Sequence, residues 1–269
     1  MEMFDSHAHY DDEKFDEDRN ELIQQIYDAG VTKFMSAGYD LMSSKMGLKL
    51  ASDYDFIYTT SGISPNDIED SEEKIAEQIK SIEELVVNEI KNSKKENRRQ
   101  KIVGIGEIGL DYHWNTENKE LQKFAFEEQI KLADKYELPI VIHTREAVDD
   151  TVSIIRKHTP VKRGVFHCCP FNRELVKQAL SLGFYISFAG PTTFKNSKNA
   201  EEIVNMVPLD KMLVETDSPY LAPEPKRGTR NDSRNVKYII EKIAEVRHLK
   251  PEEVARTTYE NAEKIFNHY

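Results

Sequence analysis

Short apolar runs alternate with amphipathic helical stretches along all 269 residues of the chain. The runs near 1–8, 33–38, 56–63, 101–109, 139–144, 163–168, 184–189 and 212–217 have the character of strands buried on both faces. Between them a helical period predicts helices near 17–29, 43–53, 72–90, 119–136, 146–157, 172–182 and 198–206, with a closing pair near 234–247 and 251–267. Asp16, Ser71, Thr116 and Asn172 stand where N-caps belong, and Gly30 and Gly183 where helices end. Strand and helix in alternation predict a parallel sheet. Eight such strands are enough to close a barrel, so the expected fold class is α/β, a (β/α)8 TIM barrel. With no internal repeat and no linker in the sequence, residues 1–269 are expected to form a single domain.

The ends of these runs carry the chemistry. His7-Ala8-His9 follows Phe4-Asp5 at the end of the first. Residues i and i+2 of a strand share a face, so both imidazoles can reach one metal ion. Glu107 lies in Gly104-Ile105-Gly106-Glu107-Ile108-Gly109, an apolar strand where an uncompensated carboxylate would be costly. A metal ion resolves that cost, and the two carboxylate oxygens could bridge two ions. His143 and His167 each end an apolar run, and Asp217 ends the eighth. In a parallel barrel the C-terminal strand ends share the face on which active sites are built. Imidazoles with a few carboxylates suit zinc, manganese, cobalt or nickel better than calcium. His7, His9, Glu107, His143, His167 and Asp217 are therefore the expected ligands, with Asp217 in the general-base position. Glu215 is a candidate for supporting them or for an inward structural carboxylate, Asp111 for supporting them or for a loop cap, and Arg145, just beyond His143, for holding an anionic substrate or for a surface ion pair. The pattern is that of a metal-dependent hydrolase.

Charge and cysteine usage narrow this further. The formal net charge of −11 has the wrong sign for holding long nucleic acid by bulk electrostatics. It is compatible with a nuclease, because bound divalent cations bring positive charge to carboxylates that are part of the acidic count. The two cysteines, Cys168-Cys169, are adjacent and cannot form an ordinary structural disulfide with each other. They read as strand-end packing in a reducing compartment. No apolar stretch is long enough to span a bilayer, and the chain opens on a strand-like segment without a basic and apolar leader. The expectation is a cytoplasmic protein with no membrane contact and no obligate protein partner. The basic segment from Lys91 to Lys101 reads as a solvated helix end and helix-to-strand loop. A barrel puts such a loop on the face opposite the site. The proline-rich loop from Ser218 to Arg234 carries Lys226, Arg227, Arg230 and Arg234 and belongs on the site's face, where loops after the last strands often bind phosphate.

Six segments together resemble the TatD-type metal-dependent deoxyribonucleases, a family of amidohydrolase-like barrels. They are Asp5-Ser6-His7-Ala8-His9, Gly106-Glu107-Ile108-Gly109-Leu110-Asp111-Tyr112, Val141-Ile142-His143-Thr144-Arg145, Gly164-Val165-Phe166-His167-Cys168, Tyr185-Ile186-Ser187-Phe188-Ala189-Gly190 and the stretch from Val214 to Pro223. The resemblance covers essentially the whole chain. It implies two divalent metal ions, chosen among Zn, Mn, Mg, Co and Ni. His7, His9, Glu107 and Asp217 would serve one, and Glu107, His143 and His167 the other. It implies a phosphodiesterase that cleaves DNA at strand ends with a metal-activated water, Asp217 and Glu107 being the catalytic carboxylates. Arg145 and the basic loop with Arg227 and Arg230 would hold backbone phosphate, and Trp114 or Tyr112 would stack on a base, Trp114 reading equally as a rim residue that packs its loop. The family usually has a histidine in a Gly-x-His-Pro signature after the third strand. Here the segment reads Gly62-Ile63-Ser64-Pro65, so Ser64 offers a phosphate only a neutral hydrogen bond. Cys169 replaces a usual phenylalanine, and the basic segment before the fourth strand looks like extra length. Two rivals remain at this stage. One is an amide, ester or lactone hydrolase on the same scaffold, including one acting on aminoacyl-tRNA. Barrels that cleave cyclic amides often carry a lysine where Glu107 stands, which favours phosphoester work by analogy. The other is an inactive nucleic-acid-binding homologue, for which Ser64 is the only support.

Overall fold

A computed structural model of the chain describes residues 1–266. Among these residues, strands β1 (Met3–Ala8), β2 (Val31–Ser36), β3 (Ile57–Ser61), β4 (Ile102–Asp111), β5 (Ile140–Arg145), β6 (Gly164–Phe166), β7 (Tyr185–Phe188) and β8 (Met212–Val214) alternate with helices. These are α1 (Arg19–Asp28), α2 (Leu41–Asp53), α3 (Glu72–Glu96), α4 (Lys119–Lys135), α5 (Val148–Lys157), α6 (Arg173–Ser181), α7 (Ala200–Met206), α8 (Val236–Arg247) and α9 (Pro251–Phe266). The sheet order is the sequence order, β1 to β8. Each expected run overlaps one of these strands, and the alternation is that of the expected (β/α)8 class. Position 267, the expected end of the last helix, lies outside the described residues.

Contacts divide the described residues into two compact units: residues 1–36 with 167–266, and residues 37–166. In the first unit β1 pairs with β2 and β7 with β8, all parallel, and Ala8 bridges Ser218 just beyond β8. Helices α8 and α9 pack on β1 and β8. The α9 face that does so is set by Val254, Ala255, Thr258, Ala262, Ile265 and Phe266, a spacing that stacks one side of a helix. In the second unit β3, β4, β5 and β6 pair in order, all parallel. Close approach of β4 and β5 depends on Gly109. Its φ is +140°, and a Cβ there would stand 2.0 Å from the His143 carbonyl oxygen.

The caps explain where helices begin. Ser71 Oγ accepts from Lys74 N–H and Asn172 Oδ1 from Leu175 N–H, as expected. Asp16 does not cap α1, because Glu13–Phe15 forms a 3-10 turn capped by Asp12 and Asp16 instead binds Arg19 at 2.5 Å. Helix α4 starts after Asn118 rather than Thr116. Gly30 and Gly183 follow helix ends with φ of 96° and 87°.

The basic segment is a mostly exposed helix end and helix-to-strand loop, as expected, but the helix runs past residue 90 and the segment's last residues are buried. Helix α3 continues through it to Glu96 and stops only at Asn97, with φ 51°. Arg98 then donates two hydrogen bonds to the buried Glu89 carboxylate, at 2.7 and 2.8 Å, and Lys101 N–H adds a third at 2.8 Å. Lys101 Nζ donates to the carbonyls of Tyr54, Asp55 and Ile57 at 3.3, 3.1 and 3.4 Å. These basic residues hold the start of β3 and β4, and burial pulls the Lys101 pKa down. Among the described residues no helix is long and apolar enough to cross a membrane.

Candidate metal centre

In the first unit the chain beyond β8 lies along the end of β1. Asp217 N–H donates to the His7 carbonyl at 2.9 Å, and His9 N–H to the Ser218 carbonyl at 2.7 Å. This backbone clasp brings Asp217 Oδ1 to 3.3 Å from His9 Nε2 and 3.8 Å from His7 Nε2. The two Nε2 atoms are 3.2 Å apart, so the H-x-H spacing does converge both rings. Burial opposes ionisation of Asp217. The hydrogen bond with His9 and the facing rings of His7 and His167 outweigh it and hold the carboxyl below its ordinary pKa.

His167 stacks on His7, with ring centroids 4.1 Å apart and planes 15° from parallel. Its Nδ1 lies 3.3 Å from Glu215 Oε1, which also accepts the Cys168 N–H at 2.6 Å. Glu215 is fully buried, and its Oε2 has no hydrogen-bond partner. A buried carboxylate oxygen without a partner needs a cation or a donor to offset its desolvation.

Beneath this cluster lies a network with no counterpart in the sequence reading. Buried Asp5 accepts from Thr216 N–H at 2.9 Å, from Thr216 Oγ1 and Ser233 Oγ at 2.5 Å each, and from His7 N–H at 3.3 Å. Burial raises its pKa to about 7 against the pull of those donors. Asn231 Nδ2 donates to the carbonyls of Thr216 and Tyr220 at 2.9 and 2.7 Å. Both ends of the loop that follows Asp217 are thereby fixed to β1 and β8. The one signal available in sequence was the position of Asp5 directly before the H-x-H pair.

In the second unit Glu107 and His143 are neighbours. His143 Nδ1 lies 2.8 Å from Glu107 Oε1, and its Nε2 lies 2.9 Å from Asp111 Oδ2. Burial works against the Asp111 charge, but His143 and the amide of Asn66, 3.3 Å away, help hold its pKa at about 2. Asp111 thus supports His143 directly rather than serving as a loop cap alone.

The anticipated substrate contacts fare unevenly. Arg230 is committed to Asp18, at 2.5 and 2.8 Å, and to the Lys14 carbonyl at 2.7 Å. Arg234 is committed to Asp232 at 2.8 and 2.9 Å. Arg227 instead lies exposed over the Phe194 ring, 4.2 Å from its centroid. Ser64 is buried in its own turn, its Oγ donating to Asp67 Oδ2 and accepting from Asn66 N–H. Arg145 and Trp114 face each other at 5.3 Å.

The His7, His9 and Asp217 atoms fit a divalent ion. Nitrogen and oxygen ligands at about 2.0–2.2 Å from such an ion stand about 3.0–3.5 Å apart from one another. The distances of 3.2 and 3.3 Å lie within that range, and 3.8 Å lies slightly beyond it. His7, His167 and Glu215 form a second group within reach of one ion.

Histidine and carboxylate groups of this kind at the ends of parallel strands define a metal-dependent hydrolase on a (β/α)8 scaffold. Residues 4–267 match the family described as TatD related DNase. The chain is 39% identical over 265 residues to the metal-dependent hydrolase YabD of Bacillus subtilis, spanning 98% of each. It is 29% identical over 270 residues to the 3'-5' ssDNA/RNA exonuclease TatD of Citrobacter rodentium, spanning 98% of this chain and 97% of that one. The crystal structure of the Escherichia coli TatD homologue YjjV superposes with a TM-score of 0.87 at 25% identity, over 98% of both chains. The chain belongs to the TatD family of metal-dependent hydrolases, and its fold class is the (β/α)8 barrel.

Proposed function

We propose that this protein is a phosphodiesterase that removes nucleotides from DNA strand ends, acting as one domain. The observation that carries the reading is the His7, His9 and Asp217 cluster, with ligand-like spacings, in a chain matched to TatD related DNases over residues 4–267. His7, His9, Glu107 and Asp217 would hold one divalent ion, and Glu107, His143 and His167 a second. When bound, such ions supply a nucleophile at neutral pH and offset charge on the leaving oxygen.

The side chains then have separable tasks. Asp217 orients the attacking water and takes its proton, which its place 3.3 Å from His9 Nε2 at the strand end suits. Glu215 and Asp111 fix the rings of His167 and His143. Lys226 and Arg227 hold backbone phosphate, while Arg230 acts by pinning the loop through Asp18. Two cysteines that are adjacent in sequence, Cys168 and Cys169, suit a cytoplasmic setting.

The test is digestion of end-labelled single- and double-stranded DNA with Mn, Mg, Zn, Co or Ni and with a chelator. Release of mononucleotides from one end with at least one ion supports the reading. Turnover of an aminoacyl ester, amide or lactone without any nucleotide release would overturn it in favour of carbonyl chemistry.

A further inference from the structure

We propose that Lys14, seated on the Tyr220 ring beside His9, is a phosphate-binding subsite of the His7, His9 and Asp217 cluster. This rests on the reading of the protein as a hydrolase of DNA strand ends and adds a contact outside the basic loop that follows β8.

The turn that carries Lys14 is built onto the cluster. Asp12 N–H donates to the His9 carbonyl at 3.2 Å. Asp12 Oδ1 accepts the Lys14 N–H at 2.8 Å, and its Oδ2 accepts the Tyr220 hydroxyl at 2.6 Å. The Lys14 carbonyl accepts from Arg230 at 2.7 Å, and the same guanidinium lies 4.9 Å from the ring centroid of buried Phe15. Tyr220 is fixed from its own side. Its N–H donates to the Asp217 carbonyl at 2.9 Å, and its carbonyl accepts from Asn231 at 2.7 Å. The ring stands edge-on to His9, with centroids 6.3 Å apart and planes at 61°.

On this ring rests the Lys14 ammonium, 4.3 Å from the centroid. Attraction between a cation and an aromatic face orders a side chain that otherwise carries much rotamer freedom. Among the described residues no oxygen accepts from Lys14 Nζ, and no carboxylate lies within ion-pair distance of it. The carboxylates of the same turn have other donors: Asp12 as above, Asp16 from Arg19 and Asp18 from Arg230. A placed ammonium with three available donors, in a chain of net charge −11, suits a phosphate, which lysine binds as a point charge. If Lys14 only covered the Tyr220 ring, an apolar side chain of similar length would serve as well. Two groups of a strand end carry the required chemistry: the backbone phosphate next to the scissile one and a terminal phosphomonoester.

Initial rates of the metal-loaded protein are measured on three oligothymidylates. One ends in a hydroxyl, one carries a phosphate at the degraded end, and one ends in a hydroxyl with a neutral methylphosphonate at the second linkage from that end. Lys14→Met should raise KM about fivefold with kcat little changed. It should also flatten the slope of log KM against log salt by about 0.7, the value for one phosphate of a single strand. Lys14→Arg should keep most of the affinity. Tyr220→Leu should raise KM as Lys14→Met does, and Tyr220→Phe, which keeps the ring, should restore most of it. A penalty on the hydroxyl-ended strand that vanishes with the methylphosphonate assigns the backbone phosphate. A penalty confined to the phosphate-ended strand assigns the terminal group. An unaltered KM and salt slope in folded Lys14→Met, or a change of equal size on all three strands, overturns the subsite and leaves the hydrolase reading standing. No hydrolysis of DNA by the wild type with any ion overturns both.

Discussion

Glu215→Gln isolates what a buried charge does for a metal ligand. Glu215 touches no solvent, and its Oε1 receives two hydrogen bonds, from Cys168 N–H at 2.6 Å and from His167 Nδ1 at 3.3 Å. The amide keeps the shape and one acceptor but removes the charge. A hydrogen bond to a charged group contributes about 1.5–3 kcal/mol and a neutral one about 0.5–1.5. Two bonds so weakened amount to about 2–3 kcal/mol. The long His167 contact puts the effect on that ring toward the low end, so metal affinity should fall about 10–100-fold. Isothermal titration of the metal-free protein with zinc or manganese measures this directly. At saturating metal the variant's kcat should recover to within a few-fold of wild type, since the ligands themselves remain. Circular dichroism identifies a variant that has simply unfolded. A folded Glu215→Gln protein with unaltered metal affinity would refute the idea that Glu215 works through His167.

Asp217→Asn should lower kcat by about 10²–10⁴ while KM on DNA stays near wild type, and a change confined to KM would contradict its role in moving a proton. Glu107→Gln should lose at least one metal ion and nearly all turnover while remaining folded, as metal analysis beside activity will reveal. Arg98→Ala strands the buried Glu89 carboxylate. Because Arg98 is itself a third exposed, the loss should be about 2 kcal/mol rather than the 3–5 of a fully buried pair, read as a lower Tm with unchanged kcat. Burial pushes the Cys169 thiol up to about 12, so iodoacetamide at pH 8 should leave it unlabelled by mass spectrometry of the native protein.

The strands were legible because continuous apolar runs bounded by polar residues have few other uses, and the site because His7 and His9 share one face of a strand end. What escaped the sequence depended on partners far along the chain. Asp5 is bound by Thr216 and Ser233, 211 and 228 positions away. No local pattern announces such partners. Arg230 resembled Arg227 in sequence, but the fold brings Asp18 to one and an aromatic ring to the other. The helix was expected to end near residue 90 because Lys91 to Glu96 is all polar. Those residues still favour a helix, and nothing stops α3 before Asn97. The N-cap of α1 was displaced because Asp16 had a stronger local partner in Arg19.

The central claim is tested most directly by removing and restoring the metal. The protein is stripped with a chelator, dialysed, and assayed on end-labelled single-stranded DNA before and after divalent ions are returned. The account predicts no nucleotide release from the stripped protein, recovery on re-addition, and no recovery when Asp217→Asn is treated in the same way. Full hydrolysis by the stripped protein, or none by the fully loaded wild type, would contradict it.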